Sequence, residues 1–246
     1  MVEKVEASLH TCHALFEWVQ ISRLGGPVNV RKTFHQQLQD LQQQIVHMGN
    51  LVSHMVDDAV RSLAQQDLDL AQRVIQADDE IDRLQIDTQM KSMQLLALQQ
   101  PMARDLRTIG TGLKIVTDLE RMADHATDIA EVTLRIGTDK LIKPLVDIPR
   151  MAAIAQEMTR DALQAYVKQD EAAAREMITR DHEVDRLYKA IFDELLELMQ
   201  KDPSVVKQAT YLLHVAVGLE RVADHATNLG EWTIYMLTGV LEELNN

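Results

Sequence analysis

Two short segments of this chain carry carboxylates at helical spacing, and they are near copies of each other. Glu120-Arg121-Met122-Ala123-Asp124-His125-Ala126-Thr127-Asp128-Ile129-Ala130-Glu131 aligns with Glu220-Arg221-Val222-Ala223-Asp224-His225-Ala226-Thr227-Asn228-Leu229-Gly230-Glu231, and eight of the twelve positions are identical. On a helix, residues four apart lie about 40° apart around the axis, so Glu120 and Asp124 share one face, as do Glu220 and Asp224. Asp128 and Glu131 stay within about 80° of Glu120; in the second copy Asn228 replaces the third acid. A second duplicated segment, Asp78-Asp79-Glu80-Ile81-Asp82 against Asp181-His182-Glu183-Val184-Asp185, adds two more pairs at i and i+4: Asp78 with Asp82, and Asp181 with Asp185.

Such spacing can do one of two things. Like charges four apart repel, and partial burial raises the cost of ionising them. Relief comes from protonation, from arginine, or from a shared cation. Arg83, Arg121, Arg186 and Arg221 stand next to acids and offer a plain alternative: paired charges on a half-solvated face. Against it, each arginine directly neighbours an acid and so points about 100° away from it. The cation reading requires hard, oxygen-only ligands, two pairs from two neighbouring helices in each copy. His125 and His225 lie about 140° from Glu120 and Glu220 and are expected at a helix interface or on the surface, not among ligands.

The elements that must position these acids are helices. Gly totals 9 and Pro 5 in 246 residues, too few for the many turns of a sandwich or barrel. From Phe34 an apolar ladder runs through Leu38, Leu41, Ile45, Met48, Val52, Met55 and Ala59 in steps of four and three. Asp67 offers an N-cap to a second helix, with Val74, Ile81, Leu84, Thr88, Leu95 and Leu98 inward, ending before Pro101. A third runs from about Arg104 to Ile136, with Leu106, Ile109, Leu113, Val116 and Ala123 on its seam and Gly137 as C-cap. After a proline-containing linker the series repeats: Pro149 to Lys168, Asp170 to about Gln200, and a sixth helix through Leu212, Val215, Leu219, Val222, Ala226, Leu229, Thr233 and Met236. Glu120 and Asp181 fall on seam positions where apolar residues belong. The expected fold is all-α: two tandem antiparallel three-helix bundles related by internal duplication, residues 31–140 and 141–246. Small residues such as Ala123, Ala126, Ala223 and Gly230 flank the acids and let another helix come close.

Residues 1–30 read as an N-terminal extension, poorly ordered, and an alternative native start near Val28 or Val30 fits the break at Gly25-Gly26-Pro27. His10, Cys12 and His13 match no zinc spacing.

A formal net charge of −13 disfavours nucleic acid. One cysteine excludes an internal disulfide framework and suits a reducing cytosol. No segment has the length and apolarity of a membrane span, and no signal-peptide pattern opens the chain, so a cytoplasmic protein without membrane insertion is expected. No nucleotide loop, serine-hydrolase elbow, metalloprotease helix or dinucleotide fingerprint is present, so the chain does not read as an enzyme.

The ordered set of motifs resembles the PhoU family of phosphate uptake regulators. Met48-Gly49-Asn50-Leu51-Val52, Gln99-Gln100-Pro101 through Asp105-Leu106-Arg107, Asp118-Leu119-Glu120-Arg121-Met122-Ala123-Asp124 and Gly218-Leu219-Glu220-Arg221-Val222-Ala223-Asp224 carry the resemblance over about residues 31–240. Ala123 and Ala223 stand where many relatives have glycine. The resemblance implies a cytoplasmic negative regulator that binds the phosphate ABC transporter ATPase and the phosphate sensor histidine kinase, a homodimer, and multinuclear iron or zinc clusters on E(D)xxxD motifs. Carried over, the ligands are Glu120, Asp124, Asp128, Glu220 and Asp224, faced by Asp78, Asp82, Asp181 and Asp185. Magnesium, manganese and calcium (Mg, Mn, Ca) stay open on the oxygen-only donor set. The alternatives are a carboxylate-bridged metal-binding or storage protein with no transport role, and an enzyme built on such a centre.

Overall fold

The structure, a computed structural model, describes residues 27–244, with side chains from Thr33. His10, Cys12 and His13 lie outside the described residues, as does most of the 1–30 segment. The chain divides into two units, Met1–Asp40 and Leu41–Asn246. Of the first, the opening of helix α1 is described, where Gln36 Nε2 donates to Asp40 Oδ1 at 3.0 Å. The acidic clusters described below lie in the second unit.

The described residues form α1 (Pro27–Gln65), α2 (Leu68–Gln99), α3 (Ala103–Ile136), α4 (Asp147–Lys168), α5 (Glu171–Ile178), α6 (Asp181–Lys201), a 3₁₀ turn (Pro203–Val205) and α7 (Val206–Thr238), with no strand among them. Both repeats turn their first corner in the same way. Gln66 and Gln169 adopt left-handed backbone, φ 53° and 55°, and the next residue caps the following helix. Asp67 Oδ1 accepts from Leu70 N–H at 2.9 Å, and Asp170 Oδ1 accepts from Ala173 N–H at 3.0 Å. Each cap satisfies an otherwise orphaned first-turn donor. Pro101 ends the α2–α3 hairpin, and Gly137, at φ 63°, closes α3.

Within the second unit α3 packs most extensively on α7, so the C-terminal helices of the two repeats form the centre. Their seam residues Ile109, Val116, Ala123, Leu219, Val222 and Leu229 are fully or almost fully buried. Gly218 lies in this interface, where a Cβ would make only ordinary contacts, with Ile129 at 3.7 Å and the His125 carbonyl at 3.9 Å. Ser62 on α1 and Thr133 on α3 exchange a buried hydroxyl hydrogen bond at 3.1 Å. The linker is fastened by two glutamines. Gln66 Nε2 donates to the carbonyls of Gly137 and Asp139 at 2.9 and 2.7 Å, while Gln208 accepts from Ile142 N–H at 2.6 Å and donates to the Lys140 carbonyl at 3.2 Å.

Two departures from the sequence expectation have physical causes. The helix expected from Asp170 to Gln200 is two helices: α5 stops at Ile178, the Thr179 hydroxyl donates to the Glu176 carbonyl at 2.7 Å, and α6 restarts at Asp181. The seam positions Leu98 and Leu106 are exposed, at 77% and 49%. Both flank the Pro101 corner, where the helix ends extend past the packed region. Among the described residues most methionines are core, Met48, Met122, Met151 and Met158 among them, while Met90, Met93 and Met102 face outward on α2 and its corner.

Candidate functional site

The acids gather in two clusters, one per repeat. In the first, α2 brings Asp78 and Asp82 against Glu120 and Asp124 of α3. Burial raises the Asp78 pKa above its ordinary value, and the charges of Asp82 and Asp124 raise it further. Glu120 is raised by burial first and then by Asp124, with Asp82 and Asp78 adding to the effect. In the second, α6 brings Asp181 and Asp185 against Glu220 and Asp224 of α7. Asp181 is only 4% exposed, and its pKa is pushed up to about 6 by burial, then by Asp185 and Asp224. Glu220 is raised by burial first and then by Asp224, with Asp185 adding to the effect. Carboxylates brought near one another from two helices thus destabilise one another's ionised forms.

The two clusters differ in backbone setting. Asp78 sits mid-helix, one position before Asp79 in an unbroken α2, whereas Asp181 is the first residue of α6. The break at Thr179 and Arg180 therefore sets Asp181 at a helix N-terminus, where first-turn N–H groups favour negative charge.

Arginine participates more than the sequence geometry suggested. Arg121 reaches back to Asp124 at 2.9 Å and to Glu120 at 3.5 Å; Arg221 approaches Glu220 and Asp224, both at 3.7 Å. These arginines are more than half exposed, so their screening of the buried side of each cluster is weak. Arg83 and Arg186 instead donate to backbone carbonyls, of Asp79 at 2.7 Å and of His182 at 3.2 Å.

Asp128 stands apart from the cluster. It is exposed, and its carboxylate lies 3.9 Å from His125 Nδ1. Glu131 pairs with Arg135 at 2.8 Å, and Glu231 accepts from the Leu244 N–H at 2.5 Å, so neither joins the acids on its helix.

The histidines occupy the α3–α7 interface. Their rings lie 5.9 Å apart, centroid to centroid. His225 Nδ1 is 2.9 Å from Asp118 Oδ1, and Asn228 Nδ2 donates to the same oxygen at 3.2 Å. His125 is held below its ordinary pKa by burial and by the neighbouring His225. Asp118 was not singled out by the sequence, although the duplication holds its signal. Where one repeat has Asp118 and Asp128, the other has Gly218 and Asn228, so each difference answers the other.

The donor set suits a hard cation: up to four carboxylates per cluster, no thiolate and no imidazole turned inward. Asp78 Oδ1 is buried and makes no hydrogen bond to the protein, an oxygen that a proton or a cation would satisfy. Among the described residues, no three His, Cys, Asp or Glu side chains already converge on a single point. A bound ion would therefore draw the carboxylates inward from these positions.

The architecture and the duplicated acids can now be set beside known proteins. The PhoU domain matches this chain twice, over residues 45–133 and 148–233. The chain belongs to the PhoU family. It is 42% identical over 217 residues to the phosphate-specific transport system accessory protein PhoU homolog of Clostridium acetobutylicum, covering 88% of this chain and 99% of that one. It is 39% identical over 216 residues to the homolog of Caulobacter vibrioides, covering 87% and 93%. The crystal structure of PhoU from Pseudomonas aeruginosa superposes with a TM-score of 0.81 at 33% identity, over 84% of this chain and all of that one. That of the phosphate transport system regulatory protein PhoU from Streptococcus pneumoniae does so at 0.81 and 29%, over 86% of this chain. The two PhoU domains are the two repeats: the first ends within α3, the second spans α4 to α7. The all-α duplicated fold expected from the sequence is the fold observed.

Proposed function

We propose that this protein is a non-enzymatic accessory regulator of phosphate uptake. It lowers phosphate transport and phosphate-regulon signalling by docking on the phosphate ABC transporter ATPase and the phosphate sensor histidine kinase, from the cytoplasm and as a homodimer. The observation that carries this reading is the near full-length match to a phosphate-specific transport accessory protein at 42% identity. Consistent with docking from one side of a membrane, no helix among the described residues is long and apolar enough to cross one.

The two clusters serve this role as cation sites. Asp78, Asp82, Glu120 and Asp124 would hold ions in the first repeat, and Asp181, Asp185, Glu220 and Asp224 in the second; Asp128 would join only by a side-chain swing. Iron and zinc are the metals of the family resemblance, and the oxygen-only donors also accept Mg, Mn or Ca. When bound, the cation supplies positive charge that offsets carboxylate repulsion and ties neighbouring helices together. The unsatisfied Asp78 Oδ1 and the raised carboxyl pKa values support this reading.

Retention of the purified protein on immobilised transporter ATPase and on the kinase tests the regulatory role. Retention on either is the expected result. Stoichiometric metal with retention on neither would instead favour a storage protein without a transport role, the reading to which the repeated clusters otherwise point.

A further inference from the structure

Threonines inside helices usually turn the hydroxyl back onto their own backbone, donating to the carbonyl four residues earlier. Among the described residues Thr88, Thr108, Thr117, Thr133, Thr159, Thr210, Thr233 and Thr238 do so, eight in all. Thr127 and Thr227 do not. Their Oγ1 atoms are buried and make no hydrogen bond to the protein. They occupy the same place in the two repeats, seven residues after Glu120 and Glu220.

That place is on the acidic face. Seven residues return to within about 20° of the starting direction, so Glu120, Asp124 and Thr127 share one stripe of α3, and Glu220, Asp224 and Thr227 share one stripe of α7. On α3, the Thr127 hydroxyl lies beside Asp78, close enough to draw that carboxyl's pKa down against the burial and like charges that raise it, yet without a well-formed hydrogen bond. Asp78 is also the carboxylate whose buried oxygen has no protein partner. On α7, Thr227 is fully buried one turn before Gly230, where a Cβ would meet Met177 Sδ at 2.9 Å and Ile178 Cδ1 at 3.1 Å. This face of α7 therefore packs on the α5–α6 junction that carries Asp181.

We propose that Thr127 and Thr227 each supply a neutral hydroxyl oxygen to a cation held by the neighbouring carboxylates, one threonine per repeat. The inference rests on the cation reading of the two clusters. A neutral oxygen suits these sites. It adds a hard ligand without adding to the negative charge that already strains the carboxylates, and it needs no deprotonation. Helix packing alone does not account for the pair, because a side chain needed only for its shape would satisfy its hydroxyl on a carbonyl, as those eight do on the i−4 carbonyl and Thr111 does on the Trp232 carbonyl at 3.3 Å.

The test is a titration with Mn²⁺ of the full-length protein stripped by chelator, with the free ion read by electron paramagnetic resonance. Zn²⁺ and Fe²⁺ are checked by elemental analysis after gel filtration. Thr127→Val and Thr227→Val keep shape and remove the oxygen; Thr127→Ser and Thr227→Ser keep the oxygen. The expected result is that each valine variant weakens one set of sites about tenfold, each serine variant binds like the parent, and the thermal melts of the metal-free proteins stay close together. Should a valine variant fail to fold, Thr→Ala at the same position takes its place in the titration. Parent-like binding by the valine or alanine variants, while Glu120→Ala with Asp124→Ala loses metal, overturns the threonine assignment and leaves the cation reading intact. A parent protein that binds none of the three metals overturns both.

Discussion

Asn228 Nδ2 donates to Asp118 Oδ1 across the α3–α7 interface, at 3.2 Å, beside a second contact from His225 at 2.9 Å. The missing third acid of the second repeat is thus a structural requirement. A carboxylate at 228 would face the carboxylate of Asp118, whereas Asp128 has Gly218 in the position corresponding to Asp118 and escapes that conflict.

Asn228→Asp should therefore destabilise the protein by about 1–3 kcal/mol near neutral pH, since it replaces a donor by a like charge at a half-buried site. Asp118→Asn on that background should recover part of the loss. Urea denaturation of the single and double variants checks this. Unchanged stability of Asn228→Asp would remove the interface account.

Asp181 makes stability depend on pH. Its carboxyl holds a proton up to about pH 6 in the folded protein but only to the ordinary 3.8 in the unfolded chain. The folded state is thus the better proton binder between these values, and this group's contribution to stability falls as pH rises from about 4 to about 6, then levels. In metal-free protein Asp181→Asn should be more stable than the parent at pH 7 by about 1–2 kcal/mol, after allowing for screening by water at the exposed Asp185, and the difference should shrink towards pH 4. Melting curves in chelator across that range decide it; a variant less stable at pH 7 contradicts the assigned cause.

Glu120→Ala with Asp124→Ala should lower the metal content of the purified protein by half or more while leaving the bundle folded, because the change also removes like-charge repulsion. Elemental analysis alongside circular dichroism measures both. Undiminished metal would remove these two residues from the ligand set.

The two corners offer a symmetrical stability test. Asp67→Ala and Asp170→Ala each delete a cap at about 3 Å from its N–H, and each should cost about 1 kcal/mol. Lying at separate corners, the two losses should add to within about 0.5 kcal/mol. A combined loss well outside that sum would show that the corners are coupled.

Much of the architecture was legible in the sequence because it rests on local rules. Asp67 and Asp170 announce caps, Pro101 enforces a corner, and the four-three ladders of α3 and α7 mark the faces that are in fact buried. Asp181 on an apolar seam foretold its burial correctly. Less legible was whatever depends on a partner distant in sequence. Asp118 gains its meaning from Asn228 and His225, more than a hundred residues away. The helix break before Asp181 hid behind an uninterrupted seven-residue apolar repeat, since Thr179 and Arg180 are ordinary helix residues. Arg121 was expected to point away from its acids, but a long side chain can curl back along the helix, and it does.

The capped corners also act as rulers. Eleven positions separate Asp67 from Asp78, and eleven separate Asp170 from Asp181, although the second interval crosses a helix break. Eleven residues of unbroken helix make three turns with only about 20° left over, so Asp78 inherits its rotational phase from its corner. One residue inserted between Asp67 and Asp78 would swing the downstream acids by about 100°, away from the helix they face, while an eleven-residue insertion would nearly restore their direction but carry them about 16 Å along the axis. Spacing along the chain, as much as residue type, sets which way these oxygens point.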